Sequence, residues 1–157
     1  MERKTKIHAE DDKQEIFITR EFDLPLELLF RAHAEAGLIE AWMGTKVLTL
    51  ESRKHGSWRY ETSNPQGIVV FSANGVIHDF VPNQKIIRTF EMENSSLPPQ
   101  IEFLEFSAID DERSLLKIQI IYKSVEIRDQ ALKLPFAYGL NMAHNRLQEV
   151  VAVLKTH

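Results

Sequence analysis

Histidines are the side chains of this sequence best suited to metal binding or to proton transfer near neutral pH. They stand at six positions: His8, His33, His55, His78, His144 and His157. No two of them show the spacing of a metal-ligand pair, such as i and i+4 on a helix. The chain contains no cysteine, which excludes thiolate ligands, thiolate nucleophiles and disulfides. We therefore expect no metal site, and we expect no cofactor.

Asp79 is the one carboxylate that we single out as a candidate catalytic residue. It follows His78 on a predicted strand, so the two side chains point to opposite faces and cannot form a dyad. A buried Asp79 would have a raised pKa and could act as a general acid or base, or anchor a polar group of a ligand. The alternative is a solvated rim residue or an ion-pair partner of Arg88 or Arg59.

Other signatures of catalysis are missing from the sequence. It has no Gly-rich phosphate loop, no Ser nucleophile elbow and no paired-carboxylate motif. An enzymatic function therefore has no positive support from motifs, although scattered polar residues in a cavity could still perform a reaction.

The elements that must position these residues begin with a strand and two helices. Residues Glu15–Phe22 alternate apolar and mixed side chains, as in a strand with one buried face. Pro25 suits an early helical position, because its missing N–H does no harm there. Residues 38–42 form a second short helical segment. The chain therefore opens as strand, helix, helix.

A series of strands and one long helix follow. Period-two alternation and turn residues predict strands over 46–51, 57–62, 68–80, 85–93, 101–109 and 115–124. Their short spacing favours an antiparallel meander. Residues 136–154 carry apolar side chains in steps of three and four, the pattern of an amphipathic helix. We predict an α+β helix-grip fold, a curved antiparallel sheet of six to seven strands wrapped around the C-terminal helix.

A sheet that curves strongly around one helix leaves a space between them. Aromatic side chains dominate the predicted inner faces, and pockets for small molecules are mostly apolar. We expect the cavity wall to contain Trp42, Trp58, Tyr60, Phe90, Phe106, Tyr122, Phe136 and Leu140. The alternative is that these side chains fill the core. A glycine inside a helix, such as Gly139, destabilises the helix by about 1 kcal/mol relative to alanine. We attribute the presence of glycine at this position to close approach of helix and sheet.

Composition limits the class of protein. The chain has 157 residues, 43% of them apolar and 27% charged, which fits one globular domain over residues 14–157 behind a flexible tail over 1–13. A net charge of −4 argues against a nucleic-acid partner. No apolar run approaches the roughly 20 residues of a membrane helix, and no signal peptide is recognisable. We expect a cytoplasmic protein that is a monomer or a weak homodimer and does not bind a membrane.

Several short motifs in this order resemble the Aha1-type branch (activator of Hsp90 ATPase homologue) of the START-like, or SRPBCC, superfamily. They are Thr19-Arg20-Glu21-Phe22, Pro25, Leu29-Phe30-Arg31-Ala32, Trp42-Met43-Gly44, residues 75–82, residues 86–90, and Gly139-Leu140 with Leu147. The likeness spans residues 15–154, and it departs from the family at Leu140, where a Trp is usual. The resemblance implies the helix-grip fold and an acidic residue near Asp79.

Three functions follow from these observations. The first is a module that binds a hydrophobic or amphipathic small molecule in the cavity, which the aromatic wall favours. The second, implied by the resemblance alone, is a co-chaperone that contacts an Hsp90-type ATPase. The third is a cyclase- or hydrolase-type enzyme that uses polar residues of the cavity. The sequence does not identify the ligand.

Overall fold

The computed structural model describes residues 3–134 and 136–155, with the backbone alone at 136–138. Its strands are β1 (Lys6–His8), β2 (Glu15–Phe22), β3 (Lys46–Leu50), β4 (Ser57–Ser63), β5 (Val69–Val81), β6 (Lys85–Met92), β7 (Gln100–Ala108) and β8 (Ser114–Ile121). Its helices are α1 (Leu26–Ala34), α2 (Ala36–Met43), α3 (Val125–Leu132) and α4 (Phe136–Ala152). No helix within this part of the chain is long and apolar enough to cross a membrane.

The strands form one antiparallel sheet in the order β1-β2-β8-β7-β6-β5-β4-β3. Consecutive strands pair as hairpins from β3 to β8, and β2 closes against β8 so that the start of the chain lies beside its later part. Register shifts interrupt the β3–β4, β4–β5 and β5–β6 pairs. Such bulges bend a sheet, which helps it to curve around α4. The predicted helix-grip fold is confirmed, with eight strands in place of six to seven.

The additional strand lies in the segment that the sequence predicts to be a flexible tail. β1 pairs with β2, with Lys6 opposite Thr19. Asn141 of α4 accepts a hydrogen bond from the backbone N–H of Thr5 at 2.9 Å, and Arg128 donates to the carbonyl of Glu10 at 2.8 Å. The contacts of Thr5 with Asn141 and of Glu10 with Arg128 join residues more than a hundred positions apart, so no local sequence pattern could indicate them.

The core lies between the sheet and the helices. α1 contributes Leu29 and Ala32, and α4 contributes Leu147 and Val151, all of them fully buried. α2 ends at Gly44, whose left-handed backbone (φ 65°) suits a residue without a Cβ. The helices thus cover one face of the sheet, as expected for a sheet that is wetted on the other.

The glycine that allows close approach is Gly75 rather than Gly139. Among the described residues, no atom outside the backbone of α4 and the chain neighbours of Gly139 lies within 4 Å of a Cβ built on it, so the predicted contact of helix and sheet at that residue is wrong. A Cβ on Gly75 would overlap the carbonyl oxygen of Thr89 and lie 2.6 Å from Nε1 of Trp58. The absence of a side chain at Gly75 lets the Trp58 indole donate to that carbonyl at 3.2 Å.

Candidate ligand-binding cavity

A cavity of about 550 Å³ lies between the sheet and the helices. This volume falls within the roughly 300–1,000 Å³ of small-molecule sites. Strands β2 and β4 to β8 form one wall, and helices α1 to α4 contribute to the other. Its apolar lining residues are Ile18, Ile39, Trp42, Met43, Phe71, Phe90, Met92, Leu97, Leu104, Ile118, Ile120, Ala131, Leu134, Leu140 and Ala143.

The predicted wall residues divide into three groups. Lining the cavity are Trp42, Tyr60, Phe90, Tyr122 and Leu140. Trp58 and Phe106 do not line it, which corrects their assignment to the wall. Trp58 packs behind Tyr60 and Phe90, with ring centroids 4.6 and 5.5 Å away. The side chain of Phe136 lies outside the part of the chain that the structure describes.

Phe106 belongs to the core below the cavity. Its ring meets those of Phe30 and His33 at 5.0 and 5.2 Å, edge to face. Period-two alternation assigned Phe106 and Trp58 to the correct face of the sheet. It could not show how far along each strand the helices already fill that face.

A charged pair forms the polar part of the sheet wall. Arg88 of β6 lies directly opposite Glu102 of β7 and donates from Nε to Oε1 at 2.9 Å. Gln100 donates to the other carboxylate oxygen, also at 2.9 Å. The guanidinium lies 5.0 Å from the ring centroid of Trp58, and its charge partly opposes the effect of burial on the pKa of Tyr60. The side chains of Arg88 and Glu102 are only 19% and 9% exposed.

The sequence analysis did not predict this ion pair. Its signal was present, since an arginine and a glutamate stand on adjacent predicted strands. The register that places Arg88 against Glu102 depends on the loop between β6 and β7, which a single sequence does not fix.

Two histidines line the helical side of the cavity and flank Trp42. The ring of His33 lies 5.4 Å from that of Trp42, and the ring of His144 lies 6.1 Å from it. Nδ1 of His33 is 2.9 Å from the carbonyl oxygen of Leu29, and Nδ1 of His144 is 2.7 Å from Oγ1 of Thr5. Trp42 donates from Nε1 to the carbonyl of Ala32 at 2.8 Å, which fixes its ring between the two.

Burial keeps both rings uncharged. Desolvation lowers the pKa of His33 to about 4, helped by the charge of Arg88 and opposed by the bond to Leu29. Desolvation lowers the pKa of His144 to about 3, with smaller effects of His33 and Arg20. Burial likewise raises the pKa of the Tyr60 hydroxyl. At neutral pH the histidines and this tyrosine are neutral, and Arg88 and Glu102 balance each other.

Because the pKa values of the buried His144 and the half-buried His33 are lowered, we expect the protein to lose stability as the pH falls below about 6.5, the pKa of an unfolded histidine. The unfolded chain then binds protons that the folded chain excludes, until the pH reaches the folded values of about 4 and 3. Each ring lowers the free energy of unfolding by up to about 1.4 kcal/mol per pH unit in this window. Urea denaturation at pH 7, 6 and 5 measures the slope.

His144→Phe is the matching variant, since it keeps a ring but removes one titrating group. We expect it to halve the slope between pH 6.5 and 5. Carboxylates of the unfolded chain, with pKa values near 4, take up protons mainly below this range, and the hydrogen bond from Arg59 holds the pKa of Glu93 at about 2 in the folded protein. A slope that is the same in His144→Phe as in the wild type would contradict the assignment.

Asp79 lies outside the cavity, so the conditions for a general acid or base are not met. Its carboxylate is 3.0 Å from Nζ of Lys85. The hydrogen bond from Lys85 holds the pKa of Asp79 below its usual range, the reverse of the shift expected for a buried carboxylate. The predicted ion-pair partners are wrong, since Arg59 pairs with Glu93 and Arg88 with Glu102, whereas a side chain that is 30% exposed is compatible with the predicted solvated position. A register shift between Ile77 and Asp79 alters the pairing of β5 with β6 at this point.

Among the described residues, no group of three or more histidines and carboxylates could hold a metal ion.

Several solved structures share this fold. A Rhodobacter sphaeroides protein is 19% identical, covers 96% of this chain and 99% of its own, and has a TM-score of 0.83. A Mycobacterium smegmatis protein is 21% identical, with coverage of 98% and 99% and a TM-score of 0.82. A Staphylococcus epidermidis protein is 20% identical, with coverage of 97% and 96% and a TM-score of 0.79. At these identities the likeness establishes the fold alone.

Sequence comparison is informative at the level of the family. No protein of curated function matches the chain. The model of the family described as "Activator of Hsp90 ATPase homolog 1-like protein" matches residues 23–152, which include every element from α1 to α4. This match covers most of the chain and agrees with the resemblance noted in the sequence. The chain is therefore a member of the activator of Hsp90 ATPase homolog 1-like family, with the helix-grip fold of START-like domains.

Proposed function

We propose that the protein binds a neutral, mostly apolar small molecule in the cavity between the sheet and α4. The observation that carries the proposal is the wall itself, a space of about 550 Å³ whose lining is largely apolar. Apolar area removed from water contributes roughly 25 cal/mol per Å², so a ligand that fills this space gains its affinity mainly from burial.

The charge balance of the wall supports a neutral ligand. Arg88 is paired with Glu102, and the histidines that line the cavity are uncharged at neutral pH. A charged ligand would exchange water for a wall that offers it no unpaired counter-charge among the described residues, and burying such a charge is costly.

One polar group on the ligand would still be accommodated at the sheet wall. Both carboxylate oxygens of Glu102 already accept hydrogen bonds, one from Arg88 and one from Gln100. A guanidinium carries five N–H donors, and the Nε donor of Arg88 is used on Glu102. The donors left over favour a hydrogen-bond acceptor on the ligand, such as a carbonyl oxygen.

A variant that fills the cavity tests this proposal. Ala143 lies on α4 and lines the cavity, so Ala143→Phe places a ring inside it without removing a polar group. Nile red, an uncharged dye with one carbonyl, should bind the wild type with increased fluorescence. We expect Ala143→Phe to weaken this binding at least tenfold, a loss of about 1.4 kcal/mol. Fluorescence titration measures both dissociation constants.

The control is Met142→Phe, which adds the same ring at the neighbouring position. The side chain of Met142 is 50% exposed and does not line the cavity, so this variant should bind the dye as the wild type does. Equal binding by wild type and Ala143→Phe would place the dye elsewhere and contradict the proposal.

The family match supports a second function, a contact with an Hsp90-type ATPase. Such a contact would use the outer surface, so its effect on ATPase activity should be the same for wild type and Ala143→Phe. Stimulation of a purified Hsp90-type ATPase by both proteins, together with no dye binding, would favour this function over the first.

A further inference from the structure

The hydrogen bonds of His33 fix which ring nitrogen carries its proton. A backbone carbonyl can only accept, so the nitrogen 2.9 Å from the oxygen of Leu29 must be protonated. Nδ1 of His33 is therefore the donor in a neutral ring. Its Nε2 then holds an unshared electron pair and is a hydrogen-bond acceptor.

His144 can adopt the opposite arrangement, because its Nδ1 contacts a hydroxyl that is able to donate. Oγ1 of Thr5 accepts a hydrogen bond from Nη1 of Arg20 at 3.3 Å, and it lies 2.7 Å from Nδ1 of His144. When the hydroxyl of Thr5 donates its proton to Nδ1, both of these contacts are satisfied. The subsite proposed below requires this arrangement, which leaves Nε2 of His144 protonated and able to donate.

The Nε2 atoms of both rings take no part in these contacts. The described residues offer neither Nε2 a hydrogen-bond partner, yet neither atom is sealed from solvent without a partner. Since both rings line the cavity and flank Trp42, an acceptor and a donor lie on either side of a flat apolar ring.

We propose that His33, Trp42 and His144 form a subsite for a hydroxyl group carried on an aromatic ring of the ligand. This inference rests on the proposed function and adds the chemical class of the ligand. A hydroxyl can donate to Nε2 of His33 and accept from Nε2 of His144, whereas an ether or a carbonyl can only accept. The indole of Trp42 supplies a surface on which the aromatic ring can stack.

The first test needs no ligand. Long-range ¹H–¹⁵N correlation spectra distinguish the two neutral tautomers of each histidine. The proposed subsite requires that, at pH 7, His33 is protonated at Nδ1 and His144 is protonated at Nε2. The reverse tautomer at either ring would overturn the subsite while leaving the proposed function untouched.

The second test compares two small aromatic compounds. 2-Naphthol carries a hydroxyl, and 2-methoxynaphthalene has nearly the same shape but no donor. Each is titrated against the wild-type protein by calorimetry. We expect 2-naphthol to bind about tenfold more tightly, because a site built around a donor discriminates against an analogue that lacks it. Equal affinities would overturn the subsite.

A matched substitution assigns the preference to one ring. The side-chain amide of His33→Asn can still donate to Leu29 but lacks an atom at the position of Nε2. This variant should lose the preference for 2-naphthol, so that the two compounds bind to it with equal affinity. His55→Asn is the control, since His55 is exposed, does not line the cavity, and has a positive φ of 68° that asparagine tolerates.

Failure of the subsite differs from failure of the proposed function. If Nile red binds and the two naphthalenes bind with equal affinity, the cavity binds ligands whether or not they carry a hydroxyl group, and only the subsite is overturned. If neither naphthalene nor Nile red binds the wild type, both proposals are overturned.

Discussion

Replacing Glu102 by leucine is expected to lower the free energy of unfolding by about 3 kcal/mol. The substitution leaves Arg88 largely buried, with its side chain 19% exposed and its counter-charge gone. Removing one partner of a buried ion pair costs much more than the pair contributes, because the remaining charge stays desolvated. Urea denaturation followed by tryptophan fluorescence measures the change.

Two controls separate the charge effect from the loss of a side chain. Glu105→Leu removes an exposed glutamate from the same strand and should alter stability by no more than about 0.5 kcal/mol. The double variant Arg88→Met/Glu102→Leu removes both charges and should recover most of the lost stability, since apolar replacement of a buried pair is often neutral. A double variant less stable than Glu102→Leu would show that the pair is not the cause.

Gly75→Ala should destabilise the protein by about 3 kcal/mol, a large effect for one methyl group. The new Cβ would overlap the carbonyl oxygen of Thr89 and come within 2.6 Å of Nε1 of Trp58. Because one of these atoms belongs to the backbone of β6, relief requires strands β5 and β6 to move apart. Urea denaturation again measures the change in the free energy of unfolding.

Gly139→Ala provides the opposite result in the same assay. In the part of the chain that the structure describes, a Cβ at Gly139 meets no atom within 4 Å outside the backbone of its own helix and its chain neighbours, and alanine stabilises a helix relative to glycine by about 0.8–1 kcal/mol. We therefore expect Gly139→Ala to raise the free energy of unfolding while Gly75→Ala lowers it. Equal effects of the two substitutions would contradict the packing around Gly75.

Local periodicity was sufficient to predict most of the fold. Alternation in stretches such as Lys85–Met92 and helical spacing after Phe136 indicated the elements, and their order indicated the helix-grip arrangement. β1 could not be predicted in this way. Three residues carry little pattern, and the strand is held by distant partners, Asn141 for Thr5 and Arg128 for Glu10.

The site was less predictable because it depends on the register of the strands and on which side chains of the inner face reach the cavity. Alternation assigned Tyr60 and Trp58 to one face, but only Tyr60 lines the cavity, since Trp58 packs behind it. The pairing of Arg88 with Glu102 and the contact of His144 with Thr5 join separate elements. Each depends on tertiary contacts that one sequence does not encode in any local pattern.

The most direct measurement of the central claim is a search for contacts between 2-naphthol and the protein by nuclear Overhauser effects. Methyl groups of Leu140, Ile118 and Ile120 line the cavity, whereas Ile68 and Val70 are exposed, at 62% and 61%, and lie outside it. We expect the ring protons of the ligand to contact the first set. Contacts confined to Ile68 and Val70, or none at all, would contradict a cavity that binds small molecules.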